Sequence, residues 1–139
     1  MSTVLFVDDV PAITSALKRR LRQEPFRMLE ARSAHDALDV VAREPVDVIV
    51  SDEVMPGMSG TELLRHLYRT RPDIVGIVLT GQPSVDAAVR AINEGHVYRF
   101  LTKPCDPLDL AAAIREALRD RDVLVETRKR MRERAAEVA

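Results

Sequence analysis

Val46-Asp47-Val48-Ile49-Val50-Ser51-Asp52-Glu53-Val54-Met55-Pro56-Gly57 stands at the centre of this chain. Apolar, mostly β-branched residues run up to an acid, and a Met-Pro-Gly turn follows. Such a run suits a strand buried on both faces, as in a parallel sheet. The strand carries Asp52 to its carboxyl end, where ligands bind in open α/β sheets. Two distant segments are expected to meet Asp52 there: Asp8-Asp9 and Lys103.

Outward from that strand, the pattern alternates. Before it, Val4-Leu5-Phe6-Val7 stops at Asp8-Asp9 as a first strand. Pro11 opens a helix over residues ~11–23, with Ile13, Ala16, Leu17, Arg20 and Leu21 at helical spacing. Phe26 to Ala31 reads as a less apolar edge strand. Ser33 with Asp36 resembles a capping box ahead of Ala34, Ala37, Leu38 and Val41. After the central strand, Ser59 with Glu62 caps a helix through Leu63, Leu64 and Leu67. Ile74 to Leu79 is a fourth strand, ending at Thr80-Gly81. Pro83-Ser84 begin a fourth helix with Val85, Ala88, Val89 and Ile92 inward, and Gly95 stops it. Val97 to Leu101 is a fifth strand, ending at Thr102-Lys103-Pro104. Asp106-Pro107 opens a last helix with no clear stop. The order βαβαβαβαβα, with short connections, means a parallel sheet with helices on both faces.

Composition bounds the rest. With 139 residues, the chain suits one domain with one core. Net charge is -1, so the whole molecule offers no electrostatic case for nucleic acid or membrane binding. Residues 119–134 hold seven Arg or Lys against four Asp or Glu, a net of +3, so the remainder sums to -4. The lone Cys105 excludes an internal disulfide and favours a reducing compartment. No apolar run reaches the roughly 18 residues of a membrane span, and no signal peptide is evident at Met1-Ser2-Thr3. The expected location is the cytoplasm.

In a doubly wound sheet of strand order 2-1-3-4-5, strands one and three are neighbours and the switch point between them is the expected site. Asp8, Asp9 and Asp52 gathered there would repel one another unless a cation intervened. Carboxylate oxygens suit Mg²⁺. The Lys103 ammonium and Thr80 hydroxyl would complete a pocket for a phosphoryl group. Taken alone, Asp8-Asp9 reads equally well as a helix cap.

The acidic pair after strand one, the Asp52-x-x-Met55-Pro56-Gly57-Met58-x-Gly60 segment, Thr80 and Lys103-Pro104 together resemble the receiver domain of two-component response regulators. The resemblance covers residues ~3–120, with a flavodoxin-like fold of five strands and five helices, the last extended. The stretch Ala91 to Pro104 is similar to NtrC-type, hydrogenase-synthesis regulators. The resemblance implies that Asp52 accepts a phosphoryl group from a sensor histidine kinase. It implies that Asp9 and Asp52 ligate Mg²⁺, that Asp8 holds it largely through water and that the Val54 carbonyl completes the set. Lys103 would pair with a phosphoryl oxygen and Thr80 with another. The Lys103-Pro104 bond is expected to be cis, which proline permits. Thr80 and an aromatic ring would form the switch: Phe100, three before Lys103, with Tyr98 as rival on the same strand face. Val54 and Gln82, two past Asp52 and Thr80, would lie beside the path of attacking water. The domain would self-catalyse its phosphorylation and dephosphorylation without being an enzyme toward other substrates.

The last helix is more open. Leu110, Ala117, Leu124, Met131 and Val138 recur every seven residues, with Arg121 and Arg128 interrupting the seam. This reads as a receiver at 1–120 and a helical linker at 121–139 leading to an absent DNA-binding output domain. A frayed charged tail is the alternative. A homodimer could form through helix four and strand five or through the C-terminal helix; no membrane or direct nucleic-acid contact is expected. Two other functions compete. A pseudo-receiver would act by binding partners without phosphorylation, against which the full set of site residues speaks. A dehalogenase-type phosphatase would want an acid two past the nucleophile, where Val54 stands. The three histidines share no ligand spacing and read as surface or satisfied residues, and Cys105 as an inert thiol.

Overall fold

A computed structural model describes residues 1–81, 85–94 and 96–138. Five parallel strands form one sheet: β1 (Thr3–Val7), β2 (Arg27–Ala31), β3 (Val48–Asp52), β4 (Val75–Thr80) and β5 (Arg99–Thr102), in order β2-β1-β3-β4-β5. The helices are α1 (Pro11–Arg20), α2 (Ala34–Arg43), α3 (Gly60–Thr70), α4 (Val85–Asn93) and α5 (Pro107–Val138). The expected order and strand neighbours are those found. The expected helix start at Pro83-Ser84, the stop at Gly95 and the position of Gln82 lie outside the described residues.

Period-two alternation divides the core. Leu5, Val7, Ile49 and Val78 face α2, α3 and α4 and meet Ala37, Val41, Leu63, Leu64 and Ala91. Val4, Phe6, Val48, Val50, Ile77 and Leu79 face the other side and meet Leu21, Leu110, Ile114 and Ala117. Both layers are needed because β3 is buried along its whole length. Each fully buried Leu, Ile or Phe contributes about 1.5–3 kcal/mol of transfer free energy.

Local chemistry sets the helix starts. Ser33 accepts the Asp36 amide at 3.0 Å, and the Asp36 carboxylate takes the Arg32 amide at 3.0 Å. Ser59 accepts the Glu62 amide at 3.1 Å. Asp106 takes the Leu108 amide at 2.8 Å at the head of α5.

Four packing expectations fail, each for a spatial reason. In α4, Val85, Val89 and Ile92 are 71, 50 and 44 % exposed, and Ala91 is the buried residue. The helix seats on the sheet through a small side chain, so its larger apolar residues flank the contact. In α1, Ile13 is exposed while Thr14 is buried, its hydroxyl donating to the Pro11 carbonyl at 3.0 Å. Tyr98 does not share the face of Phe100. It lies before β5 begins, so the alternation does not reach it; Tyr98 packs on the α5 side and Phe100 on the α3 side. His96 is not at the surface: it is buried, and its Nε2 has no hydrogen-bond partner among the described residues. His35 and His66 are exposed.

The last helix runs unbroken for 32 residues. Its seam faces the molecule itself as far as Arg128. Leu110 and Ala117 enter the core, Leu124 packs against it, and Arg128 is buried. The Arg121 Nε donates to the Asp73 carbonyl at 2.8 Å, and Arg128 donates to the carbonyls of Pro72 and Ile74 at 3.2 and 3.3 Å. Arg132 donates to the Tyr68 carbonyl, and the Arg128 and Arg132 guanidinium groups lie 5.5 and 5.0 Å from the Tyr68 ring centre. The arginines that interrupt the apolar seam thus dock this helix on the α3–β4 turn. Met131 and Val138, farther along, are exposed.

Candidate phosphoryl and metal site

Parallel register brings the distant residues together. Val7 pairs with Ser51, so β1 and β3 end side by side and release Asp8 and Asp52 at the same edge. Asp8, Asp9 and Asp52 each offer an oxygen, and these oxygens all lie within 4.8 Å of one another. Asp8 and Asp52 are buried and Asp9 is exposed. The far side is closed by Lys103, whose Nζ lies 2.7 Å from the Asp52 Oδ1. Its amide donates to the Thr80 carbonyl at 2.9 Å, which extends the β4–β5 ladder past Thr102. The Lys103–Pro104 peptide is cis.

Burial pushes the Asp8 carboxyl above the ordinary carboxylate range. The Val10 amide, donating to its Oδ1 at 2.9 Å, pulls the other way, and the charge of Asp52 adds to the rise. Three carboxylates against one ammonium leave a formal charge of -2 in a partly buried cleft. That donor set fits a hard divalent cation such as Mg²⁺, which takes few protein oxygens and keeps several waters. Asp8, Asp9 and Asp52 are the side chains that could hold it.

The other expected residues come from β4, β5 and the loops beside them. Thr80 is buried at the end of β4, one residue past Leu79, the register partner of Asp52. Val54 lies in the loop after β3 with its side chain largely exposed. Phe100 pairs with Val78 and is half-buried on the α3 side. Tyr98 donates its hydroxyl to Asp120 on α5 at 2.9 Å; burial and that hydrogen bond push its phenol up to about 12. Cys105 is half-buried, and burial raises its thiol, so it stays protonated and weakly nucleophilic.

Two features went beyond the sequence reading, in which Gly60 stood only as part of the family pattern. Gly60, the first residue of α3, presses on the back of the site: a Cβ there would stand 2.5 Å from the Asp52 carbonyl oxygen. The signal was a glycine opening a helix where better helix formers are available. An apolar groove of about 430 Å³ also runs beside Lys103, lined by Ile13, Leu17, Leu79, Cys105 and Leu110. The exposed Ile13 belongs to that groove rather than to the core.

Comparison with known proteins identifies the family. The family model described as "Response regulator receiver domain" matches residues 4–115. The hydrogenase transcriptional regulatory protein HoxA of Cupriavidus necator is 38% identical over 84% of this chain and 24% of its own length. The transcriptional regulatory protein GlrR of Escherichia coli is 38% identical over 83% of this chain and 26% of its own length. A response regulator receiver domain structure from Clostridium thermocellum superposes with a TM-score of 0.80 at 29% identity, covering 89% of this chain and 99% of the other. The chain therefore spans about a quarter of the length of the curated relatives it matches.

Proposed function

This chain belongs to the response regulator receiver family, with NtrC-type regulators among its relatives, and on that premise we propose that it takes a phosphoryl group onto Asp52 from a sensor histidine kinase. The observation that carries the proposal is the Lys103 ammonium 2.7 Å from the Asp52 carboxylate, beside the cluster of three acids.

In this reading an Asp52 carboxylate oxygen attacks the phosphorus of a phosphohistidine. The new O–P bond forms as the N–P bond breaks, and the imidazole leaves. Phosphoryl transfer has a loose transition state with charge spread over the equatorial oxygens, so positioning and cations supply most of the catalysis. Lys103 moves from its carboxylate partner to a phosphoryl oxygen. Thr80 donates its hydroxyl to another. Asp9 and Asp52, with Asp8 largely through water and the Val54 carbonyl, would hold Mg²⁺, which when bound offsets the charge gathered between carboxylates and phosphoryl group. The acyl phosphate is later lost to water, so the domain acts on itself and on no separate substrate.

The switch couples Thr80 to Phe100. Phe100 suits this role because it faces the α3 side, whereas the Tyr98 hydroxyl is tied to α5 through Asp120. Residues 1–120 serve as the receiver and 121–139 as a helical linker to a DNA-binding output domain that controls transcription, in the cytoplasm. Among the described residues no helix is long and apolar enough to cross a membrane. The exposed Val85, Val89 and Ile92 face of α4 supports pairing of two copies through α4 and β5.

Incubation with Mg²⁺ and a small acyl-phosphate donor, followed by intact-mass measurement, tests the chemistry. The parent chain is expected to gain one phosphoryl mass and Asp52→Asn none. A parent that gains nothing, or an Asp52→Asn variant that gains as much, rejects the reading.

A further inference from the structure

Glu53, immediately after Asp52, is the acid near the site that does not join the cluster. Its contacts are with β4 and the head of α3. Its amide donates to the Leu79 carbonyl at 2.9 Å, extending the β3–β4 ladder one step past Asp52. Its carbonyl accepts the Gly60 amide at 3.1 Å. Its carboxylate takes two bonds from one residue: the Thr61 amide at 2.8 Å on Oε1 and the Thr61 hydroxyl at 2.7 Å on Oε2.

Thr61 is the second residue of α3, so its amide is one of the donors a helix start leaves without an internal partner. Ser59 satisfies the next, at Glu62. The head of α3 is therefore capped twice, once locally by Ser59 and once across the loop by an anion, where the helix dipole favours negative charge. Three of the four bonds of Glu53, to Gly60 and Thr61, close the loop over residues 53–60 at its base, and the fourth ties it to β4. That loop turns at Gly57, whose φ is +83°, and returns so tightly that Gly60 abuts the Asp52 carbonyl. The backbone that follows Asp52 is thus held by two main-chain bonds of Glu53 and, through Thr61, by its side chain.

The geometry points to Glu53 as a positioning residue: its carboxylate clasps Thr61 and so holds Asp52 and the following loop in the arrangement that binds the divalent cation. This rests on the phosphoryl-acceptor reading above. Partners that orient a metal ligand from behind typically change metal affinity by about 10–100-fold when removed. Charge-assisted bonds are the strong ones, so the isosteric Glu53→Gln tests the anion with little change of volume.

Mg²⁺ affinity is measured by calorimetry on the parent chain and on Glu53→Gln, Thr61→Val, Thr61→Ser and Asp9→Asn. Each chain's thermal midpoint is recorded without metal. Glu53→Gln and Thr61→Val are expected to bind Mg²⁺ about 10-fold more weakly. Thr61→Ser keeps the hydroxyl and is expected to bind as the parent does, and Asp9→Asn to lose most binding. Thr61→Ser and Thr61→Val separate the clasp from helix stability in general. If Glu53→Gln and Thr61→Val fold and bind Mg²⁺ like the parent, the clasp is only structural and the positioning role is rejected while the phosphoryl reading stands. A parent chain that binds no Mg²⁺ overturns both.

Discussion

Asp8 carries a conflict between stability and binding. Burial raises its carboxyl, the Val10 amide lowers it, and the charge of Asp52 raises it again. The Lys103 charge offsets part of this, and a carboxylate in that position stays costly while no divalent cation faces it. Asp8→Asn keeps an oxygen for the Val10 amide and removes the charge. It is expected to raise the metal-free stability by about 0.5–2 kcal/mol, the range of single surface-charge or polar optimisations, while weakening Mg²⁺ binding. Urea unfolding without metal, set beside a Mg²⁺ titration, measures both; a variant less stable than the parent contradicts this account. These acids were legible in the sequence because each ends an apolar run. The contact of Gly60 with the Asp52 carbonyl was not, since it depends on how far the loop folds back.

At the scale of elements, α5 shows what periodicity leaves open. A seven-residue repeat of Leu110, Ala117, Leu124, Met131 and Val138 implies a seam, and a seam can face a second copy or the chain's own body. Up to Arg128 it faces the body. Arg121 and Arg128 reach backbone carbonyls of the α3–β4 turn, whose free acceptors no sequence pattern advertises. Burial lowers the Arg128 guanidinium below its ordinary value, so the contact carries a desolvation cost offset by the Pro72 and Ile74 carbonyls and the Tyr68 ring. Arg128→Ala is expected to cost about 1–3 kcal/mol, the penalty for buried acceptors left unpaired. It should also raise amide hydrogen exchange selectively over residues 121–138. Unchanged protection there would show that α5 beyond the core is held by something other than this arginine. In α4 the apolar stripe was legible, but its direction was not: Val85 and Val89 flank the contact made by Ala91.

At the scale of the molecule, His96 gives the fold a pH dependence. It is buried beside Tyr68, with ring centres 6.4 Å apart, and its Nδ1 is 3.5 Å from the Glu94 carboxylate. Burial lowers its pKa, Arg65 and Arg128 lower it further, and Glu94 opposes them. The folded state therefore disfavours the imidazolium that the unfolded chain forms below its ordinary pKa of about 6.5. The stability from the neutral ring is fully present above that pH and is lost as pH falls from there through the lowered folded value. Thermal midpoints taken from pH 8 to pH 5.5 are expected to fall in the parent and to fall less in His96→Phe. Equal slopes in the two chains would assign the acid sensitivity to other groups.

The sequence by itself determined the order of strands and helices, the parallel sheet and the edge at which Asp8, Asp9, Asp52, Thr80 and Lys103 emerge. Those follow from local periodicity and chain direction, which every residue in a strand reports. The tertiary structure alone decided which face of α4 meets the sheet, which layer holds Tyr98, where the arginines of α5 dock and what the Glu53 carboxylate binds. Each of these depends on distance between residues far apart in the chain, where an equally good pattern can point either way.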